Sequence, residues 1–274
     1  MTEQISAFER HLQREEKSAA TIEKYLRDIR CFCDFLADRP ISKEATIAYK
    51  EYLTAQYAPA SVNSMLAALN CFLRFIGRTD SCVKQLKIQR QMFGQEDKEL
   101  TKAEYIRLCK TAERKHNRRL NLILQTICGT GIRVSELRHI TVEAVKRGKV
   151  VVFLKGKTRS VFVVRELQKK LLCYAAEQRI LSGCIFVTRT GKPMSRTNIW
   201  REMKALCTEA DVNPKKVFPH NLRHLFARTF YGIEKDIAKL ADILGHSSID
   251  TTRLYIISTG AEHRRCMETM RLIL

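Results

Sequence analysis

The chain has no apolar run approaching the roughly 20 residues that a membrane-spanning helix requires, and Met1 to Ser6 do not resemble a secretory signal. Both absences point to a cytoplasmic protein with no membrane role. Internal repeats and low-complexity tracts are also missing, and with 45% hydrophobic and 28% charged residues the 274-residue chain reads as globular, long enough for two ordinary domains. Its ten cysteines lack any framework spacing: Cys31 and Cys33 suit neither zinc nor a redox turn, and Cys71, Cys109, Cys128, Cys173 and Cys207 sit at apolar helical positions. All ten are expected to be reduced and structural.

Acidic side chains are scarce. The chain carries 29 Asp+Glu against 49 Lys+Arg, a formal charge of +20. Residues 1–90 hold 14 basic and 11 acidic side chains, so 17 of the 20 excess charges fall in residues 91–274. A basic excess of this size favours a polyanion bound with counterion release, above all a nucleic acid. A solvated basic surface and attraction to an anionic membrane are the competing readings.

The pattern predicts two domains joined by a linker. In residues 1–90, Ser18 to Leu36, Ser42 to Leu53 and Pro59 to Ile76 space apolar residues by three and four, as amphipathic helices do. Periodicity fails around Gly94, which marks a linker over 91–98. Thr101 and Glu104 have the spacing of a capping box, so a second domain, 99–274, begins there. Two β-branched runs, Lys149 to Leu154 and Arg159 to Val164, predict a hairpin with a basic tip. Ile185 to Val187 is a candidate third strand, followed by a helix from Ser195 to about Ala210 and another from Pro219. The fold class is mainly α with a small β-hairpin.

The polar residues of the second domain have a common chemistry. Arg133 follows Gly129-Thr130-Gly131, and Glu136 lies one turn further on, placed to orient it. Those glycines lack the Gly-Lys-Ser or Gly-Lys-Thr of a nucleotide phosphate loop. His220 and Arg223 lie one helical turn apart, His246 sits in Leu-Gly-His-Ser-Ser, and Tyr255 follows nine residues later. Arginine holds phosphate oxygens through a planar, permanently charged fork. A phenol, which ordinarily titrates near pH 10, needs a base or a cationic field to attack at neutral pH. Taken separately, among the apolar Ile249, Leu254, Ile256 and Ile257, Tyr255 reads first as a core tyrosine. His220 and His224, four apart, also have a zinc spacing, but Asn221 stands where such a motif places glutamate, and a third ligand is missing.

The stretches Thr130 to Leu137, His220 to His224, Leu244 to Ser248 and Thr251 to Tyr255, in this order, closely resemble the tyrosine recombinase (phage integrase) family. The resemblance implies a two-domain clamp around duplex DNA: a helical core-binding domain, to which Thr21 to Leu36 and Ser61 to Ile76 are similar, and a catalytic domain. It implies that Tyr255 is the nucleophile forming a 3′-phosphotyrosyl bond. Arg133 and Arg223 are then the phosphate clamp, His220 the proton-transferring histidine, His246 a hydrogen-bond donor to the phosphate, and a hairpin lysine the general acid. Lys155 is the preferred lysine and Lys157 the alternative; Lys157 and Arg159 are otherwise possible DNA contacts.

No metal, ATP or other cofactor is implied. The implied partners are double-stranded DNA with inverted-repeat sites and a tetramer of this chain on paired sites, with an accessory or second recombinase left open. The C-terminal helix expected at 261–274 would pack in cis or pass to a neighbour. Because the chain opens almost directly in the core-binding region, it is similar to compact Xer-like or invertase-like members. Two other readings stay open: a type IB topoisomerase, and a non-catalytic DNA-binding regulator of the same fold.

Overall fold

The computed structural model describes residues 2–37, 39–88, 98–154, 157–246, 248–256 and 268–270. The chain divides into two compact units, Met1–Arg90 and Gln91–Leu274. Among the described residues no helix is long and apolar enough to cross a membrane.

The first unit contains helices α1 (Thr2–Arg14), α2 (Ala19–Leu36), α3 (Lys43–Gln56) and α4 (Pro59–Phe75). Helix starts follow local chemistry: Ser18 and Ser42 accept backbone N–H bonds from Thr21 and Ala45, and Pro59 supplies a fixed φ at the first turn of α4. Their apolar stripes meet in one core of Phe8, Leu12, Ile29, Phe32, Leu53, Leu66 and Phe72. Helix α1, which the sequence reading does not identify, contributes Phe8, packed edge-on to Phe72 at 5.2 Å. Asn63 and Asn70, two turns apart on α4, act as substitute strand partners. Each amide exchanges two hydrogen bonds of 2.7–2.9 Å with a backbone residue, Leu86 and Val83 respectively, and so pins the extended segment after Ser81.

The second unit starts at the predicted capping box, with Thr101 and Glu104 each accepting the other's backbone N–H. Helices α5 (Lys102–Arg114), α6 (Arg118–Thr130) and α7 (Val142–Lys146) precede the hairpin of β1 (Lys149–Leu154) and β2 (Lys157–Phe162), which α7 packs against, and α8 (Arg165–Glu177) follows it. Helices α9 (Arg196–Lys204), α10 (Pro219–Glu234), α11 (Ile237–Leu244) and α12 (Ile249–Ile256) follow. Leu108, Ile123, Ile127, Val150, Val152, Leu171, Ile199 and Leu222 lie within the main core, while Ala227, Leu240, Leu244 and Tyr255 form a smaller cluster.

Three local expectations change. Strand β2 starts and ends two residues earlier than predicted, because antiparallel pairing of Leu154 with Lys157 fixes the register, and Val164 instead caps α8. Ile185 to Val187 is not a strand; Thr141–Cys184 and Val187–Pro193 are isolated bridges. Helix α9 ends at Lys204 because the following N–H groups of Leu206 and Cys207 bond to carbonyls three residues back, Met203 and Lys204, with fewer residues per turn than an α-helix. Nine cysteines are free among the described residues, and Cys173 is exposed rather than at a core position. Apart from Lys98, the expected linker lies outside the described residues, and the expected C-terminal helix does so apart from 268–270, which are helical.

Candidate active site

The site grows from the end of α6. Gly131 takes the left-handed conformation (φ +64°), where a Cβ would stand 2.5 Å from the Phe226 ring. The chain reverses there, and Arg133 caps a 3-10 turn over Val134–His139. The Glu136 carboxylate accepts from the Arg133 backbone N–H (2.9 Å), from Arg133 Nη1 (3.0 Å) and from Arg159 Nη2 (2.5 Å). Burial pushes the Glu136 carboxyl up, but the Arg133 N–H and the two guanidinium groups outweigh burial and hold it below the ordinary carboxylate range. Arg133 Nη2 also approaches the Gly245 carbonyl at 3.4 Å.

Helix α10 places His220, Arg223 and His224 on one face, at spacings of three and four residues. Arg223 is 1% exposed. Its Nη1 donates to the Gly131 carbonyl, and its Nη2 to the Leu244 carbonyl (2.7 Å) and to His246 Nε2 (3.0 Å), while Nε is buried without a partner. Burial and the nearby Arg133 push its pKa down to about 10, which leaves it charged at neutral pH. Burial also lowers His220, helped by Arg223, Arg133 and Arg196.

A guanidinium can only donate, so His246 Nε2 accepts and the ring is neutral; Nδ1–H then donates to Thr252 Oγ1 at 2.9 Å. Burial and the charges of Arg223 and Arg133 push His246 down to about 4. Tyr255, one turn beyond Thr252 on α12, is 7% exposed. Its ring lies 4.2 Å from that of His224, 4.9 Å from that of His246 and 5.1 Å from that of His220, with the Arg223 guanidinium 5.8 Å from its centroid.

The structure therefore brings Arg133, His220, Arg223, His246 and Tyr255 into one cluster. Lys155 and the side chain of Lys157 lie outside what is described. Arg159, offered from the sequence as a DNA contact, turns inward, with its side chain 11% exposed and bonded to Glu136 and, at 2.6 Å, to the Ile243 carbonyl. Its place on β2 makes it an inward position of the hairpin, opposite the buried Val152.

Sequence reasoning treated His224 only as a possible zinc ligand, and missed its stacking against Tyr255. Its spacing of four from His220 was the available signal. Arg196 and Trp200 of α9 were also missed; with Arg133, Ser135, His220 and Arg223 they line an open cleft of about 630 Å³.

Comparison with known proteins gives this arrangement a family. The phage integrase family matches residues 98–262, and the phage integrase N-terminal SAM-like domain matches residues 5–79. The chain is 29% identical over 283 residues to tyrosine recombinase XerA of Thermococcus kodakarensis, covering 99% of this chain and 96% of that one. It is 27% identical to tyrosine recombinase XerD of Staphylococcus aureus, covering 95% and 96%. Among solved structures, a lambda integrase (75–356) dimer bound to a COC′ core site has the same fold, with a TM-score of 0.74, 18% identity, and coverage of 93% of this chain and 95% of that one. XerH bound to difH substrate in a pre-cleavage complex gives a TM-score of 0.69 at 18% identity, covering 92% and 79%. With the family match spanning well over half of its length, the chain belongs to the phage integrase family, the tyrosine recombinases.

Proposed function

We propose that the protein is a site-specific DNA recombinase that cleaves and rejoins duplex DNA through Tyr255. The observation that carries this reading is the gathering of Arg223 and three histidines around one buried phenol, with Arg133 lining the same cleft as His220 and Arg223. The Xer recombinases that the chain resembles in sequence, and the DNA-bound recombinases that share its fold, support it.

In this reading the Tyr255 oxygen attacks phosphorus, an O–P bond forms, and the bond to the 5′ oxygen breaks. His220, kept largely neutral by burial, accepts the phenolic proton, and Lys155 protonates the leaving 5′ oxygen. Arg133 and Arg223 hold the non-bridging oxygens, where charge develops in the pentacoordinate transition state. For His246 to donate to the phosphate, its proton must shift from Nδ1 to Nε2, which Arg223 permits by exchanging the imidazole for a phosphate oxygen. The ester stores the bond energy, so a 5′-hydroxyl of a partner duplex reverses the step and yields a Holliday junction without ATP or metal.

The assembly would be a tetramer on paired inverted-repeat sites in the cytoplasm, with the 261–274 segment packing in cis or in trans and, for some sites, an accessory or second recombinase. The test is covalent capture: the protein is incubated with fragmented DNA of its own genome, quenched with detergent, and the bound fragments sequenced. Adducts clustered at one repeated sequence, absent for Tyr255→Phe, are expected. Scattered adducts would indicate a topoisomerase instead, and adducts from Tyr255→Phe would remove the nucleophile assignment.

A further inference from the structure

His224 carries none of the roles assigned above, yet of the three imidazoles around Tyr255 it is the one that lies flat against it. Its ring is 4.2 Å from the phenol centroid with 22° between planes, whereas His220 and His246 meet the phenol at 68° and 46°. The His220 ring is nearly perpendicular to the phenol and the His246 ring is tilted, so neither offers it a parallel face. The stacked ring acts on the tilt and lateral position of the phenol through its face.

Its support is firm on both sides. His224 shares the α10 face with His220, its ring 4.7 Å from that of His220, and follows directly on the buried Arg223. Tyr255 sits on α12, and α10 packs directly against α12. The stack therefore joins the helix that carries the clamp to the helix that carries the phenol. Burial, with His220 and Arg223 nearby, pushes His224 down to about 4, so at neutral pH the shelf is uncharged and does not compete with the arginines for phosphate.

We propose that His224 is the positioning residue of Tyr255, a flat neutral shelf that holds the phenol ring at the attack angle through its face and not through its nitrogens. The proposal rests on the reading that Tyr255 is the nucleophile, so Tyr255→Phe runs alongside as a separate control. Adducts formed by that control would end the nucleophile reading, whatever the His224 variants do.

The experiment uses the full chain and a nicked duplex carrying the site recovered by adduct sequencing, and measures the rate of adduct formation against protein concentration. His224→Ala should lower the saturating rate on the order of 10- to 100-fold, the scale of an approximately 1 Å misplacement of a reacting group. The half-saturating concentration should stay unchanged. His224→Phe, which keeps a flat face without nitrogens, should return the rate to within about threefold of wild type. His224→Leu fills the space without a ring and should be as slow as alanine, which preserves the test if the alanine variant does not fold.

In the free protein, ring-labelled tyrosine should show Tyr255 resonances shifted by the stacked imidazole, similarly displaced in His224→Phe and released in His224→Leu. A phenylalanine variant as slow as alanine would assign the effect to an imidazole nitrogen and overturn the proposal. So would an alanine variant cleaving at the wild-type rate.

Discussion

Arg223 Nη2 lies 3.0 Å from His246 Nε2, and this pairing sets the protonation state of the site: a donor-only guanidinium requires a neutral, accepting imidazole. The same guanidinium satisfies the carbonyls of Gly131 and Leu244, so it holds the α6 and α11 termini together. Arg223→Ala should therefore fail twice. Cleavage at saturating DNA should fall by roughly 2.7–4 kcal/mol of transition-state stabilisation, the range for removing one oxyanion donor. The melting temperature should fall as well, because two buried carbonyls lose their donor. Single-turnover cleavage near wild type would remove Arg223 from the clamp.

Acidification should destabilise the protein through its histidines. His224 and His246 are held near 4 in the folded chain, below the ordinary value of about 6.5 that they regain on unfolding. Between these values the unfolded chain binds more protons, so stability is intact above about pH 6.5 and is lost as pH falls toward 4. Thermal unfolding from pH 7.5 to 4.5 should show this decline, and His224→Phe should make it shallower. An unchanged slope in that variant would mean that His224 titrates alike in both states.

Glu136 is the shared anion beneath Arg133 and Arg159, with its side chain 3% exposed. Glu136→Ala should cost about 3–5 kcal/mol in denaturant unfolding, since it strands a mostly buried Arg159 without its counter-charge. The double variant Glu136→Ala with Arg159→Met should recover part of that loss. Additive losses would show that the two side chains do not act as a pair.

Gly245 and Arg159 interlock. Gly245 has φ +65°, and a Cβ there would lie 2.3 Å from Arg159 Cδ. Gly77, at φ +75°, has nothing within 4 Å of the corresponding point. Gly77→Ala should therefore cost only the left-handed backbone strain, about 1–2 kcal/mol. Gly245→Ala should cost more and should also slow cleavage, because the displaced guanidinium shares Glu136 with Arg133. Equal unfolding losses for the two variants would mean that Arg159 moves aside freely.

The sequence by itself determined the helices whose signals are local. Apolar residues at three- and four-residue spacing mark α2 and α4, the Thr101–Glu104 box starts α5, and Pro219 starts α10. It also singled out Arg133, His220, Arg223, His246 and Tyr255, because phosphodiester chemistry needs those residue types and few others serve. Tertiary structure decided what depends on contacts between distant segments. Arg159 reads as one more exposed cation until the Ile243 carbonyl, 84 residues away, and Glu136 draw it inward. His224 becomes a shelf only because α12 packs on α10, and His246 becomes an acceptor only because Arg223 donates to it. Periodicity and capping act within a few residues of chain and are written in composition. Burial, tautomer and ring geometry are set by neighbours that only the folded chain brings within hydrogen-bonding or van der Waals reach.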